Sequence, residues 1–160
     1  MNSIPKTREA MTEHRFPLSP FLELLGAKSE KAAKGKARLS LELQPQLRNR
    51  YDGFHGGVIM TLLDVVMATA AVSRSDFQNT VVTVDISVSF LAPASGQLFA
   101  EGEASGGGRS ICFCEGRVID AHGTLIAKAQ GTFKYLKLSP NSFGEETNSP
   151  LPSGIAESKP

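Results

Sequence analysis

The alternation of apolar and polar residues predicts one long helix followed by a long strand. Between residue 56 and about residue 74, apolar side chains occupy nearly the whole helical circumference, which predicts a helix buried on most sides. After residue 76 the period changes to two, and Pro93 marks the end of this strand. One face of the strand is predicted to carry Val82, Val84, Ile86, Val88 and Phe90, and the other Thr83, Asp85, Ser87 and Ser89.

Three further strands are predicted after the first, over residues 97–104, 109–120 and 124–136. Glycines at 106–108 predict the first connecting turn, and His122-Gly123 predicts the second. In the last strand an apolar set shares one face: Leu125, Ala127, Ala129, Phe133 and Tyr135. The pattern therefore predicts a meander of antiparallel strands with one apolar face.

The segment before the long helix predicts a short helix and a hairpin. Ser19 is a candidate N-cap, Pro20 a first helical residue and Gly26 a helix stop. Residues 28–43 predict a hairpin around Gly35, and residues 44–54 a loop. A buried helix wrapped by a curved antiparallel sheet is an α+β architecture, the hotdog fold.

Composition divides the chain into one domain and two tails. We predict a flexible N-terminal tail over residues 1–15, a hotdog domain over 16–137 and a disordered tail over 138–160. The last segment is rich in Ser, Pro, Asn and Glu, and its few apolar residues cannot repay the entropy of ordering. A chain of 160 residues that folds alone buries only a modest core, which is compatible with oligomerisation.

Charge, cysteine content and hydropathy favour a cytoplasmic protein. The formal net charge of +1 argues against general nucleic-acid binding. Two cysteines, Cys112 and Cys114, cannot form a disulfide framework, and we expect them to pack in the core. The longest apolar stretch, residues 58–72, contains Asp64 and is shorter than the roughly 20 residues of a membrane span, so we predict no membrane insertion.

A polar, glycine-rich turn at residues 49–57 opens the long helix, and Asp64 follows His55 by nine positions. Backbone N–H groups at a helix N-terminus can stabilise a developing negative charge, and glycines at 56 and 57 allow a substrate to approach the backbone. A carboxylate can act as a base or nucleophile. Together they are the two halves of an acyl-transfer site.

The spacing of these two halves predicts a dimer. Gly56 and Asp64 are eight residues apart, which is about 12 Å along a helix. One thioester carbonyl cannot lie about 3 Å from both groups of the same helix. Two antiparallel helices across a twofold axis solve this, because each site takes its N-terminus from one subunit and its carboxylate from the other.

The same residues resemble the hotdog acyl-CoA thioesterases of the phenylacetate-pathway (PaaI-like) type. The resemblance rests on residues 49–64, on residues 82–94 with their strand ending in a proline turn, and on residues 108–110, and it covers roughly residues 20–136. It implies dimers, usually paired into tetramers, that hydrolyse acyl-CoA without a metal or cofactor. It also implies Asp64 as base or nucleophile, Gly56 as carbonyl donor, Asn49 and His55 as assisting residues, and Thr83 as a positioning hydroxyl.

Contacts with the substrate, including its CoA part, are predicted alongside these roles. They are assigned to Gly57, Val82, Gly108, Arg109 and Ser110. In this prediction Arg109 reaches a CoA phosphate.

Several alternatives stay open at the level of sequence. Asn49 and His55 are equally explained as residues that order the turn, and strict alternation turns Thr83 away from the apolar face. Two other functions fit the fold: a hydratase or dehydratase of acyl thioesters using His55 as its acid–base group, and a protein that binds acyl-CoA without catalysis.

Overall fold

The computed structural model describes residues 16–137, and the two predicted tails lie outside the described residues. Its elements follow the predicted order. They are α1 (Pro20–Leu25), β1 (Lys28–Ala33), β2 (Lys36–Glu42), a 3₁₀ turn (Pro45–Leu47), α2 (Gly56–Arg74), β3 (Asn79–Phe90), β4 (Gln97–Gly107), β5 (Ile111–Asp120) and β6 (Leu125–Lys137).

The six strands form one antiparallel sheet in the order β1-β2-β4-β5-β6-β3. Helix α2 contacts all six strands, so the sheet curves around it. We call the face against α2 the inner face and the opposite one the outer face. The first and last positions in the sheet belong to β1 and β3, and β3 is therefore a long edge strand. The hotdog fold is confirmed.

Helix α2 forms the centre of the core, and its bounds match the prediction. Its buried residues pack against inner-face side chains of the sheet: Ile59, Leu62, Leu63, Val66, Met67, Ala70, Ala71 and Ser73. By length and hydropathy α2 could cross a membrane, but in this fold it is the core helix. The predicted burial on most sides is too broad for the protomer, because two neighbouring stripes of α2 are incompletely covered. The first, called the open stripe below, is Gly56, Met60, Asp64, Ala68 and Val72, and the second is Gly57, Thr61, Val65 and Thr69.

Paired glycines let α2 approach the sheet closely. Gly102 of β4 lies opposite Gly116 of β5. A Cβ on Gly102 would stand 2.5 Å from the carbonyl oxygen of Val66 in α2, and one on Gly116 would stand 3.0 Å from Cγ of Met67. The helix backbone occupies the space that side chains at these two positions would fill.

We expect Gly102→Ala to destabilise the protein by about 3 kcal/mol, because its methyl group would collide with helix backbone that can move only with the whole helix. Gly106→Ala is the matched control, since nothing lies within 4 Å of a Cβ there on the same strand. Its effect should stay within about 1 kcal/mol. Urea unfolding of both variants measures the difference, and equal midpoints would contradict the close approach.

The turn between β4 and β5 lies two residues later in the chain than predicted. Gly106 and Gly107 still pair with Phe113 and Cys112, and β5 begins at Ile111. The connecting turn is therefore residues 108–110, closed by a bond from the Gly108 N–H to the Ile111 carbonyl oxygen (2.9 Å). Gly107 has φ 121°, a backbone conformation that only glycine adopts readily.

A β-bulge at Val84 makes the predicted alternation of β3 wrong. Thr83 pairs with Phe133 while Asp85 pairs with Thr132, so Val84 has no partner residue of its own. An extra residue reverses the faces that follow it. Before the bulge Thr83 points inward and Val82 outward; after it, Ile86 and Val88 pack against the core. Val82 and Val84 are exposed by 45% and 59% and do not share the apolar face.

Candidate active site

The loop before α2 is fixed from two sides. The Phe54 N–H bonds to the Ala94 carbonyl oxygen (2.8 Å), and the His55 N–H bonds to that of Leu47 (2.9 Å). The Phe54 side chain is buried in the core. A Cβ on Gly53 would stand 2.9 Å from the Ala94 oxygen, so only glycine fits this close approach. These contacts set the position of the helix N-terminus.

Asn49 orders this loop from within. Its Oδ1 accepts the N–H groups of Tyr51 (2.8 Å) and Gly53 (3.2 Å), and its Nδ2 donates to the Phe54 carbonyl oxygen (3.0 Å). Asn49 accordingly acts on the helix N-terminus through the shape of the loop.

His55 is the N-cap of α2. Its backbone is extended (φ −66°, ψ 136°), and its Nδ1 accepts the Gly57 N–H at 3.0 Å. An accepting Nδ1 places the proton of the neutral ring on Nε2. The exposed Nε2–H is then a second donor beside the helix N-terminus, while Gly57 is already paired.

Gly56 is the first residue of α2, and its N–H has no hydrogen-bond acceptor within residues 16–137. It therefore offers an open donor at the positive end of the helix dipole. The ring of Phe90 lies beside it, because a Cβ on Gly56 would stand 3.5 Å and 3.6 Å from Cε1 and Cζ of that ring. The sequence placed Phe90 only on an apolar face; its nearness to Gly56 comes from tertiary structure.

Asp64 lies two turns further along the same open stripe of α2 and is half-buried. The Thr83 hydroxyl donates to Asp64 Oδ1 at 2.7 Å. The sequence expected a more deeply buried carboxylate and an outward Thr83. The Val84 bulge explains the second difference. It adds one residue between Thr83 and Ile86, so both face the helix although they are three positions apart.

The turn predicted to hold CoA lies on the Asp64 side of the protomer. Thr83, Phe133 and Cys112 are paired across β3, β6 and β5, and the turn at residues 108–110 immediately precedes this row. Two strand spacings correspond to about 10 Å. Arg109 is exposed in this turn, whereas Val82 points to the outer face, away from Thr83.

The two cysteines are buried on the inner face of β5 with their sulfur atoms 3.7 Å apart, as core packing predicts. Burial, together with the neighbouring Cys112, raises the pKa of the Cys114 thiol well above its ordinary value. Cys114 therefore stays protonated near neutral pH and is not a nucleophile.

A concave surface of about 1000 Å³ lies on the outer face of the sheet, remote from Asp64 and Gly56. It is crossed by ion pairs in which Glu101 contacts both Arg38 and Arg117, and Lys36 contacts Glu103 (3.4 Å). These charged side chains are paired with each other across neighbouring strands. The candidate site is therefore assigned to the other side of the sheet, where Gly56, Asp64 and Thr83 lie.

Comparison with known proteins identifies the family of the chain. Residues 53–127 match the model of the thioesterase superfamily, a region that contains Gly56, Asp64 and Thr83. A candidate esterase of Halobacterium salinarum is 30% identical over 127 residues, covering 72% of this chain and 84% of that protein.

Solved structures agree in fold. A conserved protein from Pseudomonas aeruginosa has a TM-score of 0.72 at 30% identity, covering 74% of this chain and 95% of its own. The Escherichia coli PaaI protein of the phenylacetic acid degradation operon has a TM-score of 0.69 at 19% identity, covering 74% and 85%. With this fold, family match and identity, the chain belongs to the thioesterase superfamily and is a hydrolase of the hotdog fold.

Proposed function

We propose that the protein is an acyl-CoA thioesterase that hydrolyses its substrate to a free acid and CoA. The observation that carries this proposal is that the first two N–H groups of α2 differ in their hydrogen bonding. His55 pairs with the Gly57 N–H, which leaves the adjacent Gly56 N–H open. An open donor at a helix N-terminus suits the oxyanion of a tetrahedral thioester intermediate.

In the proposed reaction, Asp64 acts on the carbonyl carbon from the other side. As a general base it takes a proton from water while the water oxygen bonds to the carbon; as a nucleophile it forms an anhydride that water then opens. Either route breaks the carbon–sulfur bond and ends with a proton on the CoA thiol. Thr83 holds one carboxylate oxygen, so the other points to the reacting group. The mechanism uses no metal or cofactor.

The proposed site is shared between two subunits. Gly56 and Asp64 lie on the same open stripe of α2, about 12 Å apart, so they cannot act on one carbonyl within one protomer. The edge strand β3 also exposes Val82 and Val84, and unpaired edges with apolar side chains favour pairing with another strand. A twofold dimer would bring Gly56 of one subunit to Asp64 of the other and would pair the exposed edge of β3. We further expect two such dimers to form a tetramer.

CoA is proposed to lie along the subunit that supplies Asp64. The exposed Arg109 of the β4–β5 turn is within reach of the CoA phosphates, and Gly108 and Ser110 flank it. Val82 faces outward in the protomer. In the proposed dimer it could contact CoA only where β3 meets the partner subunit.

Hydratase or dehydratase chemistry is less well supported. It would use His55 as a proton carrier, yet the Nδ1 of His55 already accepts the Gly57 N–H. Protonation of Nδ1 would break that N-cap bond. A protein that only binds acyl-CoA has no need of a carboxylate held in place, and here the Thr83 hydroxyl holds Asp64.

CoA release from acetyl-, hexanoyl-, palmitoyl- and benzoyl-CoA, followed with a thiol reagent, tests the proposal. We expect catalytic release with at least one of them, and no hydration of crotonyl-CoA. Crotonyl-CoA hydration without thioester cleavage would favour the hydratase instead. Binding without turnover of any substrate would favour the non-catalytic protein.

Thr83→Val should lower kcat by roughly tenfold, because it removes a hydrogen bond to a charged carboxylate while keeping the side-chain volume. KM should change little, and Thr83→Ser should restore the rate because it restores the hydroxyl. Thr132→Val is the control on the neighbouring strand, since no hydrogen bond from the Thr132 hydroxyl connects it to Asp64. A normal kcat in Thr83→Val would remove the positioning role.

A further inference from the structure

Phe90 is a large apolar side chain that remains open beside the proposed oxyanion donor. It ends β3, and 51% of its surface is exposed. The edge of its ring is in ordinary van der Waals distance of the position that a Cβ on Gly56 would take, at 3.5–3.6 Å. An exposed aromatic ring at this place has no role in the mechanism described above.

The bulge at Val84 is what directs this ring toward the helix. After the bulge, Phe90 pairs with Ala127, a buried inner-face residue. Without the extra residue, the inner-face position of Thr83 would put every even-numbered residue of β3 on the outer face. One backbone irregularity thus places the hydroxyl that holds Asp64 and the ring beside Gly56 on the same side of the sheet.

A second exposed apolar side chain lies on the helix close to the open donor. Met60 is one turn beyond Gly56 on the open stripe and is 42% exposed. In the proposed shared site the CoA turn belongs to the subunit that supplies Asp64, and Phe90 and Met60 belong to the subunit that supplies the Gly56 donor, on the acyl side of the carbonyl.

We propose that Phe90 determines acyl specificity, its ring forming the wall against which the acyl chain packs while the carbonyl is bound at Gly56. This inference rests on the proposed thioesterase function. A carbonyl oxygen bound to the Gly56 N–H brings the first carbons of the acyl group into contact distance of the ring. Acyl groups with apolar or aromatic surface gain from this contact, whereas acetyl is too small to cover the ring.

The test compares kcat/KM for hexanoyl-, benzoyl- and acetyl-CoA in Phe90→Ala, Phe90→Leu and wild type. We expect Phe90→Ala to lower the preference for hexanoyl- and benzoyl-CoA over acetyl-CoA by about tenfold, mainly through KM. Phe90→Leu should restore the hexanoyl preference more than the benzoyl preference. It also keeps a large apolar residue at the position, so it remains informative if the alanine variant does not fold.

Phe113→Ala is the matched control, because Phe113 is exposed to a similar extent (54%) but pairs with Thr132 on the outer face. It should leave the acyl preference unchanged. Loss of activity that is equal for all three substrates in both Phe90 variants would overturn the specificity role, as would an unchanged preference. If wild type releases no CoA from any substrate, the proposed function fails instead, and the two failures are thus distinguished.

Discussion

Gly56→Pro is expected to lower kcat by about 10²–10³-fold, the effect of removing one oxyanion donor. Proline has no N–H, so the substitution deletes the group that the proposed mechanism uses. The fold should tolerate it, because Gly56 is the first helical residue and proline suits that position. The extended backbone of His55 is also the conformation that precedes proline readily.

Gly56→Ala separates the loss of the donor from the loss of glycine. It keeps the N–H, and its Cβ would stand at an ordinary contact distance of 3.5 Å from the Phe90 ring. We expect this variant to retain most of the wild-type kcat for acetyl-CoA. Circular dichroism and the thermal midpoint of both variants verify the fold. Equal kcat values for Gly56→Pro and Gly56→Ala would exclude the Gly56 N–H as the donor.

Asp64→Asn is expected to lower kcat by about 10²-fold or more, because an amide can neither take a proton from water nor attack the carbonyl. The amide keeps the size of the side chain and can still accept the Thr83 hydroxyl, so the stability should change little. Steady-state CoA release gives the rate. Single-turnover hydrolysis by the wild type in isotopically labelled water tests for the anhydride route. When water opens an anhydride at the Asp64 carbonyl, label enters Asp64 and an oxygen of Asp64 passes to the product, so label found in Asp64 identifies the anhydride. A wild-type kcat in Asp64→Asn would refute the mechanism.

Mixing the two inactive variants tests the shared site. In a dimer with one Gly56→Pro subunit and one Asp64→Asn subunit, one site carries both defects and the other is intact. Random exchange at equal amounts makes half of the dimers mixed, so about a quarter of the wild-type activity should return. Sites contained within one subunit would give no recovery. Sedimentation of the wild type at micromolar concentration should show a dimer or larger, and a monomer would contradict the arrangement.

The pattern of the sequence predicted the elements because their periods were long and unbroken. The helix from Gly56 to Arg74 was predicted with its observed bounds, since glycines open it and the change to period two follows its end. Ser19, Pro20 and Gly26 similarly fixed α1, where Gly26 adopts φ 78°. The position of Asp64 relative to Gly56 followed from helix geometry, and the spacing of the two residues is therefore enough to predict a site shared by two subunits.

The register of β3 could not be predicted in this way. Alternation assumes that every residue advances the strand by one position, and Val84 breaks that assumption while looking like any other valine of the strand. The faces of Val82, Val84 and Thr83 were therefore misassigned. The only hint of the bulge in the sequence was a disagreement between two predictions for Thr83. The family resemblance implied that Thr83 has a role in the site, whereas strict alternation turned it away from the site.

The order of the elements, the helix that carries both reactive groups and the distance between these groups follow from the sequence, because they depend on local conformational preferences and a fixed helical rise. The pairing of Gly57 that leaves the Gly56 N–H open is local, since His55 and Gly57 are two residues apart. The hydroxyl that holds Asp64 and the ring that lies beside Gly56 were decided by tertiary structure. Each of these depends on contacts between residues far apart in the chain, and a single unpaired residue in β3 reverses which side chains can make them.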